Sequence, residues 1–362
     1  MQVNMKIVKV IGFYFVLGVV VIGGAFSANA AIIINHYCTD IHNIPDSWIE
    51  EAKAKLHVVY QHTSHGSQLI SGMNALADFP DFEDRFDWDD NGQRSSALDL
   101  DDYGISSDDY NISGVEDLSQ GDSLDGNGVT PWVTATRNLL NDPANLHVNV
   151  VMWSWCSING HNIDRYLENM EILIAEYGQG GSSPRAAEHP VQFVFMTGHA
   201  EGQGEGGFIH TANEKIRSHC FVNDRILFDF ADIENYDPDG NYYYDRPMWD
   251  NLDYSESSYR DGNWAQNWLA ENPGSELEQL TTGNGVDGFS GCSECAHSDV
   301  PYEANLNCVL KGRAAWWLMA KLAGWDYNPP SNSDGNRTSN TSGSGTAASC
   351  FIDTMFKGHQ KN

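Results

Sequence analysis

The stretch Leu56-His-Val-Val-Tyr-Gln-His-Thr-Ser-His-Gly66 predicts a strand, a tight turn and the start of a helix. Residues 57–60 form a β-branched, apolar run that suits a buried strand, and the apolar positions from Leu69 to Leu76 suit a helix. Ser64 lies between them. A serine at such a turn projects from the carboxyl end of a strand, where α/β sheets bind their ligands. The alternative is that Ser64 only caps the helix, because serine is a favoured N-cap residue.

The same alternation of strand and helix continues along the chain. Strands are predicted at 148–153, 191–196 and 225–230, and helices at 45–56, 132–140, 163–177, 212–219 and 310–322. This spacing predicts an α/β fold, a three-layer α/β/α sandwich with a mostly parallel sheet. Residues 78–128 predict a long acidic loop, and residues 237–288 predict a second irregular region rich in aromatic side chains. Polar clusters after the strands are expected to meet at one edge of the sheet.

Residues 1–30 resemble a secretory signal peptide. Lys6 and Lys9 precede an apolar run, and Ala28-Asn29-Ala30 is a small-x-small cleavage site. The alternative is an uncleaved membrane anchor, since the apolar run is close to spanning length. The domain is therefore predicted at 31–327, followed by a flexible Ser/Gly/Asn-rich linker at 328–349 and a short tail at 350–362 that contains Cys350. We expect an exported protein that has no stable membrane span after cleavage.

The chain is strongly acidic, with a formal net charge of −30. This charge argues against binding to nucleic acid or to anionic lipid. Its seven cysteines all follow residue 30, and export permits disulfides. The preferred local bridge joins Cys308 to Cys292 or Cys295. The alternative is a zinc site that uses these three thiolates and His297.

Near the end of the chain, Glu294-Cys-Ala-His297 places a carboxylate three residues before a histidine. Nucleophilic catalysis by serine needs a base, a carboxylate that orients the base, and donors for the oxyanion. We therefore expect Ser64 as nucleophile, His297 as base and Glu294 as orienting acid. The alternative is that 294–297 is an ordinary surface turn, and His65 is a rival base. His199 is expected to line the pocket or to be a loop residue without a catalytic role.

These motifs resemble the SGNH (GDSL-like) hydrolase family in their order and layout over residues 55–325. His62-Thr-Ser-His-Gly66 is similar to the family's first block, and Glu294-x-x-His297 is similar to its last block, with Glu in place of Asp. The resemblance implies an esterase on an α/β/α sandwich that requires no cofactor. It also implies that Cys156 stands where the family has its oxyanion Asn, that Asn159 or Asn162 substitutes for that residue, and that Gly114 is the second-block glycine.

The segment Asp237-Pro-Asp-Gly-Asn-Tyr-Tyr-Tyr-Asp245 resembles the first part of a calcium-binding loop. Its side-chain oxygens come from Asp237, Asp239, Asn241 and Asp245. The alternative is an Asp/Gly-rich turn that satisfies its own backbone groups. No cofactor is required by this interpretation, and a structural calcium at this loop is the one cofactor left to test.

Together these features predict an exported carboxylic ester hydrolase, with an acetylated polysaccharide as the favoured substrate class. The aromatic residues of 237–288 suggest a surface on which sugars stack, although such side chains more often pack in a core. The alternative function is a non-catalytic carbohydrate-binding or surface protein on the same fold, stabilised by calcium. A small-molecule or polysaccharide ester is the expected partner.

Overall fold

The structure is a computed structural model that describes residues 30–105 and 115–329. Its centre is a seven-stranded sheet in which every pair of neighbouring strands is parallel, in the order β1-β7-β6-β5-β2-β4-β3. The strands are β1 (Ile32–Ile34), β2 (His57–Gln61), β3 (Trp88–Asp89), β4 (Leu98–Asp102), β5 (Val150–Trp153), β6 (Gln192–Met196) and β7 (Ile226–Phe228). The α/β class and the parallel sheet expected from the sequence are thereby confirmed.

Two groups of helices pack among themselves. The first contains α1 (Asp46–Lys55), α2 (Ser67–Asp78), α6 (Phe230–Asn235), α8 (Glu276–Thr282) and α9 (Leu306–Leu322). The second contains α3 (Pro131–Asn141), α4 (Ile163–Tyr177) and α5 (Phe208–Val222). This arrangement is consistent with three layers, because parallel strands need crossover helices that cover the faces of the sheet.

The direction of chain progression reverses between β2 and β5. These neighbours pair from Val58 with Val150 to Gln61 with Trp153, and β4 lies on the other side of β2. In open α/β sheets the crevice at such a switch point, outside the carboxyl ends of the strands, is where ligands bind. The turns after β2 and β5, which carry Ser64 and Cys156, both open into this crevice.

Helix α9 is the most deeply buried helix of the first group and packs closely along α2. The two helices touch at Gly72 and Gly312, where a Cβ atom on Gly72 would lie 1.8 Å from the carbonyl oxygen of Cys308. Only glycine permits this distance between the backbones. The contact places the segment that follows Ser64 against the helix that follows His297.

Most predicted elements are present with shifted ends. Helix α4 has the predicted bounds, whereas α5 starts four residues earlier than expected and extends three residues further. Helix α9 also begins earlier, at Leu306. The strand predicted at 225–230 is shorter, because Asp229 caps helix α6 by accepting a hydrogen bond from the backbone of Asp232.

The two regions predicted as irregular contain regular elements, so that prediction was wrong in part. Residues 78–128 include β3 and β4, and β4 reads Leu-Asp-Leu-Asp-Asp with Leu98 and Leu100 fully buried. The high acid content concealed this strand, whose alternating pattern buries one face. Residues 237–288 include α7 (Trp264–Glu271), α8 and a small antiparallel pair of β8 (Asp253–Tyr254) and β9 (Gly262–Asn263).

The signal peptide, apart from Ala30, and nearly all of the predicted linker and tail lie outside the described residues. Within 30–105 and 115–329, no helix has the length and apolar character needed to cross a membrane.

Candidate active site

Ser64 occupies a strained turn at the end of β2. Its φ angle is +39°, in the left-handed region that residues other than glycine rarely adopt. The turn is fixed by the hydroxyl of Tyr60, which donates to the carbonyl of Gly66 at 2.9 Å. A Cβ atom on Gly66 would lie 2.3 Å from both His62 Cβ and Ser154 Oγ, so a side chain is excluded there. The strain and the glycine are typical of a turn that presents a nucleophile.

The Ser64 hydroxyl is hydrogen bonded to Nε2 of His297, which lies 233 residues away in the chain. It does not cap α2, whose N-cap position is Gly66 without a side-chain cap bond. The serine and the histidine predicted from the sequence are therefore in direct contact. Ser64 is half-buried and His297 is exposed, so the pair opens to solvent.

The first turns of α2 hold the loop that carries His297. Gln68 Nε2 donates to the carbonyl of Ala296 at 2.6 Å, and Ser71 Oγ donates to the carbonyl of Glu294 at 3.0 Å. Cys295 is bonded to Cys308 of α9 in a disulfide. The loop is thus fixed from both helices. The expected disulfide is present with Cys295 as the partner, and the alternative zinc set of cysteines does not form.

Glu294 does not contact the His297 ring. Its side chain is exposed, and within the described residues its carboxylate makes no hydrogen bond or ion pair. Both Glu294 and His297 have φ near +60°, and the disulfide fixes Cys295 between them. The short loop therefore directs the two side chains differently from the arrangement expected from sequence, and the role of Glu294 as orienting acid stays a prediction.

Three imidazole rings stack beside Ser64. The His65 ring lies 4.3 Å from His297 at an interplanar angle of 15°, and 3.5 Å from His199 on its other face at 10°. His65 Nε2 is 2.8 Å from Oδ2 of Asp250. The central ring is buried, and its Nδ1 has no hydrogen-bond partner among the described residues. His65 is therefore held by one carboxylate and by two flat ring contacts.

The pKa values of this cluster indicate a neutral His65 beside an ionised Asp250. Burial lowers the pKa of His65 to about 4, which the hydrogen bond to Asp250 only partly offsets. Burial acts to raise the pKa of Asp250, but the hydrogen bond from His65 and the charges of the nearby imidazoles outweigh it, and the pKa is lowered. A negative charge therefore lies behind the ring that stacks on His297.

His65, His199 and Asp250 each bring one potential metal-ligand atom within 4.8 Å of the others. A zinc-bound imidazole nitrogen lies about 2.0–2.1 Å from the ion, with its lone pair in the ring plane. Two parallel rings stacked 3.5 Å apart cannot both contain one ion in their planes. Both nitrogens of His199 also face carbonyl oxygens, of Cys156 at 2.7 Å and of Ala200 at 2.9 Å. The geometry therefore does not fit a resident metal ion.

The turn after β5 presents Cys156 to the Ser64 hydroxyl. Burial raises the pKa of the Cys156 thiol more than the nearby Thr63 and Ser64 side chains lower it, so the thiol stays protonated. The backbone N–H groups of Cys156 and Ser157 both donate to Ser119 Oγ at 2.9 Å. These two backbone donors are thus occupied, whereas the thiol can donate toward the crevice, although S–H is a weak donor.

The remaining pocket candidates have other partners. Asn159 Nδ2 donates to Glu201 at 3.2 Å, and Asn162 caps α4 by accepting from the backbone of Arg165. Neither amide contacts Ser64, so the expected replacement for the family's Asn is not made by these residues in this arrangement. Gly114 lies outside the described residues.

The predicted calcium loop satisfies its own oxygens. Asp237 accepts from the backbone of Asp239 at 3.0 Å and of Asn241 at 2.9 Å, and the Asn241 amide donates to its second oxygen. Asp245 pairs with Arg246 at 2.6 Å. These contacts favour the alternative of an Asp/Gly-rich turn. Calcium binding at this loop stays a prediction.

A buried ion pair between Lys311 and Glu234 supports both the loop of His297 and the loop of His199. Lys311 Nζ lies 2.7 Å from Glu234 and 2.6 Å from Gln68 Oε1, and both charged side chains are fully buried. Burial lowers the pKa of Lys311 to about 8. Glu234 also accepts the backbone N–H of Ala200, next to His199. Sequence reasoning missed Lys311, Glu234 and Asp250, because none of them lies in a recognisable motif.

A pair of aromatic side chains, the half-buried Trp249 and the exposed Tyr259, lies beside the same edge. Trp249, the neighbour of Asp250, covers Gly202 with its indole ring and forms a backbone bridge to Glu201. Tyr259 is 77% exposed and meets the indole edge to face at 5.2 Å, and Arg260 lies 4.6 Å above the indole. By contrast, Tyr244, Trp264 and Trp268 are buried, as the core alternative predicts.

Comparison with protein-family models, with curated proteins and with solved structures gave no match for this chain.

Proposed function

We propose that this protein is a serine hydrolase that cleaves carboxylic esters. The observation that carries the proposal is the hydrogen bond between the Ser64 hydroxyl and His297 Nε2 at the switch point of the sheet. The left-handed backbone of Ser64 supports it further, because nucleophilic serines sit on such strained turns.

The chemistry follows from this pair. Ser64 Oγ attacks the ester carbonyl carbon while its proton passes to His297 Nε2. Collapse of the tetrahedral intermediate breaks the bond to the alcohol oxygen, which leaves with that proton, and an acyl-serine remains. Water then attacks the acyl carbon, His297 takes a proton from the water and returns it to Ser64, and the carboxylic acid is released. In this proposal the Cys156 thiol, beside Ser64, donates a hydrogen bond to the oxyanion.

The favoured substrates are acetyl esters of carbohydrates. The exposed ring of Tyr259, which meets the half-buried Trp249 at 5.2 Å, offers a flat apolar face beside the crevice, and sugar rings stack on such faces. The predicted export of the chain and its acidic surface also suit an extracellular polysaccharide more than a nucleic acid.

The test is turnover of p-nitrophenyl acetate by the purified chain, beside Ser64→Ala and His297→Ala. Both variants should lose at least ~1,000-fold in kcat, since the two residues act as one unit. The matched control is Ser218→Ala, which removes a hydroxyl from α5, in the other group of helices. Wild-type turnover that survives unchanged in Ser64→Ala would refute the proposal.

A second candidate is a carbohydrate-binding protein without catalytic activity. It is favoured by the occupied backbone donors of Cys156 and Ser157 and by the absence of an Asn in contact with Ser64 within the described residues. Calorimetry with acetylated and deacetylated oligosaccharides separates the two functions. A binding protein would bind both oligosaccharides without hydrolysing the acetylated one, and Ser64→Ala would not change its affinity for either.

A further inference from the structure

The chain provides a carboxylate near His297 that is not on the loop of His297. Asp250 lies between Met248, which pairs by its backbone with Gly202, and Asn251, whose amide donates to the carbonyl of Val300 at 2.8 Å. These contacts fix the Asp250 segment between the loop after β6 and the segment that follows His297. Its carboxylate then meets His65, the residue next to Ser64.

The hydrogen bond to Asp250 defines the state of His65. Because the carboxylate accepts from Nε2, the single proton of the neutral ring lies on Nε2, and Nδ1 carries a lone pair that no described group meets. The ring is clamped between His199 and His297. His65 is fixed at Nε2 by Asp250 and on one face by His199. It therefore restrains the tilt of the His297 ring that stacks on its other face.

We propose that Asp250, acting through His65, is the carboxylate that positions His297 and stabilises its protonated form, the role that the sequence assigned to Glu294. This inference rests on the proposed function for the identity of the base, and Asp250 is a positioning residue, because it does not touch the reacting atoms. No proton passes from His297 to Asp250, which contributes negative charge from behind the stacked ring.

The groups that face His297 come from several elements. Ser64 and His65 face it from the turn after β2, with His199 behind His65 and Asp250 at the edge of the stack. Glu294 and Asp299 are the acids on its own loop, and both side chains are exposed. Exposed charges are screened by water and salt, whereas a half-buried one is screened less. Asp250 should therefore dominate the electrostatic environment of the ring.

The experiment is an NMR titration of the histidine rings in the full folded chain, with His297→Gln used to assign the His297 signal. Asp250→Asn should move the titration midpoint of His297 to lower pH, because loss of a nearby negative charge makes the imidazolium less stable. Asp250→Glu keeps the charge and should keep the midpoint. Glu294→Gln is the matched control and should change it by less than ~0.2 units.

The kinetic readout on p-nitrophenyl acetate should agree. The acid limb of kcat/KM should shift in Asp250→Asn by the same amount, with a fall of roughly tenfold to a hundredfold in its plateau. A shift in Glu294→Gln with none in Asp250→Asn would overturn the inference and restore Glu294 as the acid. The NMR titration decides this even when no ester is hydrolysed, so failure of the proposed function is distinguished from failure of the role of Asp250. Should Asp250→Asn unfold, His65→Gln tests the same coupling through the stacked ring.

Discussion

Gly72 of α2 and Gly312 of α9 lie backbone against backbone, and a Cβ atom on Gly312 would be 2.2 Å from the carbonyl carbon of Gly72. This contact sets how closely the two helices approach. Helix α2 follows Ser64 and supports the loop of His297 through Gln68, while α9 supports the same loop through the disulfide at Cys308. The distance between serine and histidine therefore depends on two glycines remote from the chemistry.

Replacing Gly312 with alanine should lower the free energy of unfolding by about 3 kcal/mol, the upper part of the range for overpacking, because backbone atoms cannot yield as side chains do. The ester hydrolase activity of the fraction that still folds should fall as well. Urea unfolding followed by circular dichroism measures the change. Gly206→Ala is the control, since a Cβ atom there meets nothing within 4 Å, and an equal loss in both variants would contradict the account.

The bridge between Cys295 and Cys308 should stabilise the site more than the rest of the fold. The two residues are 13 apart in sequence, and closing a loop of about this length stabilises a protein by about 3 kcal/mol. The double variant Cys295→Ala/Cys308→Ala should lose this stability and most ester turnover. Cys220→Ala removes a buried free thiol and serves as the control. Peptide mapping of the unreduced chain should recover the two cysteines in one linked peptide, and recovery of both as free thiols would contradict the assignment.

His65 should make stability depend on pH below neutrality. Its pKa is about 4 in the folded chain against an ordinary value of 6.5, because burial disfavours the charged ring. Between these values the unfolded chain binds more protons, so stability falls as pH decreases from 6.5 to 4, by up to about 3 kcal/mol. In His65→Gln this contribution should vanish. Thermal unfolding at several pH values measures the difference between the two proteins, and parallel curves would contradict the burial of a neutral ring.

Cys156 should assist the oxyanion through its thiol. Cys156→Ala removes the donor and should lower kcat by roughly tenfold, less than the loss known for a full amide donor, because S–H is weak. Cys156→Ser restores a hydroxyl donor and should recover the activity. Steady-state kinetics on p-nitrophenyl acetate compares the three proteins. If Cys156→Ala is as active as the wild type, the Cys156 thiol is not an oxyanion donor.

The inner strands β2, β5, β6 and β7 were predictable because they are buried on both faces and read as apolar runs. Residues 148–153 and 191–196 are such runs, and they became β5 and β6 with slightly later starts. Strand β4 was missed because it alternates leucine with aspartate in an acid-rich segment. The acid-rich composition concealed the period-two pattern of β4. Its pairing with β2 in the structure identifies it as a strand.

Ser64 and His297 could be predicted from the sequence, because Ser64 follows a buried strand and His297 lies in a Glu-x-x-His segment before the last helix. Asp250, the carboxylate that we propose as the positioning residue, could not be predicted from the sequence. It lies in a loop rich in aromatic residues and acids, where no motif distinguishes it. Its position depends on long-range contacts such as that between Asn251 and the carbonyl of Val300. Glu294 had the correct spacing along the chain, but the backbone of its loop directs it to solvent.

The central claim, that Ser64 is a nucleophile activated by His297, is tested most directly by a fluorophosphonate probe with the labelled residue mapped by mass spectrometry. Such a probe reacts with serines whose hydroxyl is activated by an adjacent base. The account predicts one adduct per chain, on Ser64, that is lost in His297→Gln although the hydroxyl remains. A folded wild-type chain that takes no label, or that is labelled on another residue, would contradict it.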